Sequence, residues 1–146
     1  TNNPVLSIFP QDEFGSMLLG LRIENFALID HLELTFGSGL NVLTGETGAG
    51  KSIILDAIDA ALGGKVTSRL IRAGAQRAVV EATFRPNPAL ASWLLQQEID
   101  LIDETDFVCS REMAVSRGVL RSRSRVNGVL VSRQTVESLR DRLVEI

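Results

Sequence analysis

With 146 residues, 45% of them hydrophobic and only four of them proline, the chain can bury a sizeable core, which excludes a chain disordered as a whole. Its formal net charge of -3 excludes attraction of the whole molecule to nucleic acid, so any such binding has to come from a local patch. The lone cysteine, Cys109, cannot close an internal disulfide, and no Cys or His set has zinc-ligand spacing. A soluble globular chain in a reducing cytoplasm fits these features best.

Residues 1–16, TNNPVLSIFPQDEFGS, lack the basic start and continuous apolar core of a secretory signal, and a methionine follows at Met17. Glu-Phe-Gly-Ser is what two adjacent cloning sites encode, so 1–16 reads as a cloning-derived or disordered extension and 17–146 as one domain. In HLELTF, Leu32, Leu34 and Phe36 alternate with His31, Glu33 and Thr35, which predicts a half-buried strand. GSG at 37–39 turns the chain, and LNVLT at 40–44 suits a more buried strand leading into a glycine loop.

KSIILDAIDAAL predicts a helix ended by Gly63 and Gly64. Its apolar run is broken by Asp56 and Asp59 and falls far short of the ~20 residues of a membrane span, so no membrane partner is expected. RAVVEATF, from Arg77 to Phe84, predicts a strand, and NPALASWLLQQE a helix with Asn87 as N-cap and Pro88 in its first turn. DFVCSREMAV is a further strand. Asn127-Gly128 in LRSRSRVNGVLVS predicts a hairpin with a type I′ turn. Ser132 caps a last helix whose Val136, Leu139 and Leu143 share one stripe.

GETGAGKS, Gly45 to Ser52, satisfies G-x-x-x-x-G-K-[ST] between a strand and a helix. Gly45 lets the chain leave the strand, and Gly48 and Gly50 let backbone amides close on phosphate oxygens. Those amides, shared with Glu46, Thr47 and Ala49, act with the positive end of the helix dipole. Lys51 adds a point charge near the β and γ phosphates, and Ser52 offers its hydroxyl to magnesium. ATP and Mg2+ are therefore the expected cofactors.

Hydrolysis also calls for an apolar run ending in Asp, often followed by Glu. The candidate is EIDLIDE with Asp103 and Glu104, but Asp100 interrupts the run, and an unpaired carboxylate is costly in a strand covered on both faces. An exposed connection is the better reading, leaving a phosphate grip without a complete catalytic set.

The stretch LRIENFALIDHLELTFGSGLNVLTGETGAGKSIILDAIDAALGGK resembles the N-terminus of the RecN family of bacterial SMC-like DNA repair ATPases. LIRAGAQRAVVEATF and RSRSRVNGVLVS follow in the family's order, so the resemblance runs from about Met17 to the end. It implies an α/β P-loop NTPase fold: the N-terminal lobe of an ABC/SMC-type ATPase head, with a mixed sheet and a phosphate-loop helix. It also implies that the signature motif and magnesium-site carboxylates lie beyond a coiled coil, in a C-terminal lobe of the same protein, so this chain is expected to be a truncated piece of it. Two heads would then sandwich ATP on DNA in a cytoplasmic, nucleoid-associated protein. By the same resemblance, the segment Asn25 to Asp30 lies near the base or ribose, and Arg69 or Arg72 reaches toward the phosphates; either arginine can equally be an ordinary surface residue.

Between Ser110 and Arg133 stand six arginines against one acid, a local balance of +5. Arg121, Arg123 and Arg125 project from one face of a strand at a spacing of about 7 Å, which suits successive DNA phosphates. A solvated edge strand protected by charge explains them too. His31 is expected in solvent, Trp93 in a core or lid position, and Cys109 as a small buried strand residue. Two further functions stay open beside the leading one: a self-contained small kinase or NTPase using Asp103 and Glu104, and a DNA-binding or dimerisation module that nucleotide only stabilises.

Overall fold

The computed structural model describes residues 16–36, 48–101 and 105–144, with the backbone alone described at 48–51 and 144. In chain order its elements are β1 (Met17–Phe26), β2 (Ile29–Thr35), α1 (Gly48–Ala61), β3 (Arg77–Arg85), α2 (Pro88–Gln96), β4 (Phe107–Ser116), β5 (Val119–Val126), β6 (Val129–Val131) and α3 (Arg133–Val144). The extension at 1–15, the turn at 37–39 and the run at 40–44 lie outside the described residues, as do positions 102–104.

The strands form a six-stranded sheet in the order β2-β1-β3-β4-β5-β6, and every pairing among them is antiparallel. On β3 the alternation is strict, with Ala78, Val80, Ala82 and Phe84 buried while Val79, Glu81 and Thr83 stay partly exposed. This gives the sheet one apolar and one polar face. Leu21, Ile23, Cys109 and Met113 add to the apolar side, and Phe84 stacks on Phe107 with ring centroids 5.3 Å apart. Helix α1 lies against β3, β4 and β1, while α2 contacts α3. Ala57, Ile58, Leu90, Leu94, Leu139 and Leu143 of these helices belong to the same core cluster as the buried strand residues.

Local chemistry sets the element ends where the sequence places them. Asn87 caps α2 by accepting a hydrogen bond from the Leu90 amide at 2.8 Å, and Ser132 caps α3 by accepting from the Thr135 amide at 3.1 Å. Asn127 and Gly128 have φ of 50° and 80°, the positive pair that a type I′ hairpin requires. The Asn127 side chain also accepts from the Val108 amide at 2.7 Å and donates to the Asp100 carbonyl, tying the hairpin to the approach to β4.

A second turn of the same kind joins β4 to β5, where Arg117 and Gly118 have φ of 53° and 76° between the paired Ser116 and Val119. The sequence reading places no turn there, because arginine seldom adopts positive φ and only the glycine marks the site.

Candidate phosphate-binding site

Helix α1 opens at Gly48, inside the GETGAGKS motif, so its N-terminal amides belong to the motif itself. The first turn carries no acidic side chain, which leaves the positive end of the helix dipole uncompensated by its own residues. Ser52 is exposed on that turn, where its hydroxyl is open to a cation. Positions 45–47 lie outside the described residues, and of 48–51 only the helical backbone is described. The part that is described fits a nucleotide's phosphates and magnesium.

The helix is held from its far end. Ala57, Ile58, Ala60, Ala61 and Leu62 are buried, whereas Ile53, Ile54 and Leu55 are half-buried. Gly63 adopts φ +86°, its amide donating to the Ala60 carbonyl at 3.1 Å, and the Gly64 amide donates to the Asp59 carbonyl at 2.8 Å. This is the left-handed cap expected of the glycine pair.

No basic residue stands in the helix's last turn, and positive charge comes instead from outside. Arg111 of β4 donates from Nη1 to the carbonyls of Ala60 and Gly64 at 3.0 and 3.1 Å, and from Nη2 to Ser122 Oγ at 3.1 Å. Arg140 of α3 pairs with Asp59 at 2.6 Å. Burial, and then the like charge of Arg133, hold the Arg111 guanidinium below its ordinary pKa, with Asp59 working the other way. Burial and the neighbouring Asp59 raise the Asp56 carboxyl.

Asn25 to Asp30 spans the β1–β2 connection, and the structure brings it together with the segment carrying Arg69 and Arg72. The Ala27 amide donates to the Leu70 carbonyl at 2.7 Å, the Arg72 amide to the Asn25 carbonyl at 2.8 Å, and Phe26 bridges Ile71. Asn25 and Ala27 both take positive φ there, at 52° and 53°. The Arg69 and Arg72 side chains are exposed. Asp100, which interrupts the apolar run of EIDLIDE, is exposed as well, while Asp103 and Glu104, the acids of the alternative site, lie outside the described residues.

The register of β5 puts Arg121, Arg123 and Arg125 on one face, opposite Ala114, Glu112 and Ser110. Glu112, the acid facing Arg123, pairs with Arg77 at 2.5 Å. Strand β5 is next to the sheet edge, since β6 covers it at Ser124 to Val126. Further along the same polar face, Arg22 gathers Glu24, Glu33 and Glu81, and its hydrogen bond to Glu81 raises its pKa. His31 is exposed, as expected, and its ring nitrogens lie 3.9 Å from Glu24 and Glu33; strand alternation places Glu33 on its face, and the pairing with β1 adds Glu24.

On the helix side of β5 a cleft of about 550 Å³ is lined by Lys65, Arg111, Ser122, Ser124 and Arg133 and, among the described residues, by no carboxylate. Trp93 is half-buried under the Arg142 guanidinium, 4.5 Å from the ring centroid. Cys109 is buried, and burial pushes its thiol pKa up, in keeping with an inert strand residue. No helix among the described residues is long and apolar enough to cross a membrane.

The model of a family described as AAA domain matches residues 20–126. The chain is similar to the DNA repair protein RecN of Synechocystis, 55% identical over 130 residues, and to that of Bacillus subtilis, 44% identical over 128 residues. These matches take in 89% and 86% of this chain but 22% and 21% of those proteins, so the chain spans about a fifth of their length. Among solved structures, an SMC ATPase studied for ATP-driven dimerization and DNA-stimulated activation superposes with a TM-score of 0.66 at 25% identity, covering 88% of this chain and 80% of that one. The Smc head domain of Pyrococcus furiosus, bound to the C-terminal domain of ScpA, gives a TM-score of 0.62 at 24% identity over 85% of this chain and 32% of that one. The glycine loop, the one-sided sheet and these likenesses converge: the chain belongs to the AAA domain family, among its RecN-like members.

Proposed function

We propose that this chain is the ATP-binding N-terminal part of a RecN-like ATPase that acts in DNA double-strand break repair and recombination. The observation that carries this reading is the start of α1 at Gly48 within GETGAGKS, with no acidic residue in its first turn to cancel the dipole. The loop from Gly45 to Gly50 holds the phosphates through backbone amides, Lys51 neutralises them, and the Ser52 hydroxyl orients magnesium, which supplies charge neutralisation when bound. The Asn25 to Asp30 connection bonds to the backbone at Leu70 and Arg72, which supports the reading that Arg69 or Arg72 reaches the nucleotide.

Hydrolysis in the whole protein draws on a signature motif and carboxylates supplied by a C-terminal lobe, and ATP is enclosed between two heads. DNA is the polyanionic partner, engaged by Arg121, Arg123 and Arg125. In support, an SMC ATPase and an Smc head domain have this fold, and the relatives that are 55% and 44% identical are DNA repair proteins. The test is Lys51→Ala, which removes a charge-assisted contact and is expected to weaken ATP binding by about 10- to 100-fold in calorimetry, with the fold intact. Unchanged affinity in the folded variant would refute the assignment.

A further inference from the structure

Arg111 is more than the helix end requires. The Ala60 carbonyl already accepts from the Gly63 amide, so the α1 terminus is capped without help from a side chain. The guanidinium is nevertheless drawn in among β4, β5 and α1, where burial and Arg133 both oppose its charge. Its Nε is buried with no hydrogen-bond partner among the described residues. An apolar side chain of similar length would avoid these costs, and a buried donor left unpaired calls for an explanation.

The explanation lies in what the residue grips. Its Nη1 holds two carbonyls at the negative end of the helix whose positive end opens the phosphate loop. Three half-buried side chains near the start of α1 give that end a lighter hold than the buried alanines and Leu62 give the other. A cation fixed at the C-terminus therefore sets the axial position of the helix and complements its dipole. Ser122 in turn fixes the guanidinium from β5.

We infer that Arg111 is a positioning residue for nucleotide binding, fixing the phosphate-loop helix against the sheet from the end opposite the phosphates. The inference rests on the ATP-binding reading above and deepens it. Arg111 bonds at the end of α1 opposite Gly48, so its effect passes through the placement and dipole of the helix.

The test compares Arg111→Met, Arg111→Gln and Arg111→Lys in the full-length protein, by calorimetry with ATP and magnesium alongside thermal melting. The Met and Gln variants are expected to bind ATP about 10-fold more weakly, the size of a partly buried charge at a helix terminus. The Met variant is expected to keep a melting temperature near wild type, since it also removes an unpaired buried donor. Lys restores the charge at the carbonyls and is expected to recover most of the affinity, which a purely structural role would not produce. Wild-type affinity in both neutral variants would overturn the inference, as would a Lys variant that binds no better than Gln. If the Met variant does not fold, the Gln and Lys comparison decides alone. Absence of ATP binding by the wild-type protein would instead refute the nucleotide reading itself.

Discussion

Gly63 turns α1 at a φ of +86°, and a Cβ built there would lie 2.7 Å from Val136 Cγ1 of α3. Two penalties meet at this position, left-handed backbone strain and a clash with a buried neighbour. Gly63→Ala is expected to destabilise the protein by about 2 kcal/mol in denaturant melts, against about 1 kcal/mol for Gly74→Ala, where the backbone is left-handed too (φ +87°) but a Cβ meets open space. Gly63 is legible in the sequence because a glycine pair follows an apolar helical run. Positive φ at Ala27 and Arg117 is not, since the docking of the 70–72 backbone and the sheet register impose it on residue types that disfavour it. Arg111 is likewise hidden: by strand alternation it falls among buried positions, and only the tertiary structure shows which carbonyls it meets.

Elements are where the sequence speaks most clearly. Strict alternation in β3, the Asn87 and Ser132 caps and the Asn127-Gly128 turn each depend on neighbours within a few residues, so one window of sequence contains the cause. Strand β5 shows the limit. Its alternation places Arg121, Arg123 and Arg125 on one face and the Asn127-Gly128 turn announces a partner strand, but only the structure shows that this partner, β6, is three residues long and forms the sheet edge. Because β6 covers β5 only from Ser124 onward, edge protection accounts poorly for Arg125, which is paired on both sides. If the three arginines neutralise duplex phosphates, the logarithm of affinity is expected to fall with log salt at a slope steeper by about 2.7 than in the triple Gln variant. Equal slopes in a fluorescence titration would remove DNA from this face.

At the scale of the molecule, one apolar sheet face buried under helices positions α1, and two arginines from β4 and α3 secure its far end. Fold class and the phosphate loop were both open to sequence reasoning, because the loop's chemistry is confined to eight consecutive residues. The groups proposed to complete hydrolysis are not legible in the same way, and this chain spans about a fifth of the length of its curated relatives. The central claim is that nucleotide grip resides here and bond cleavage is completed elsewhere. It is tested most directly by giving this chain ATP and magnesium and measuring binding and phosphate release together. Saturable ATP binding with phosphate release no faster than the Lys51→Ala background is the expected result; sustained magnesium-dependent release above that background would contradict it.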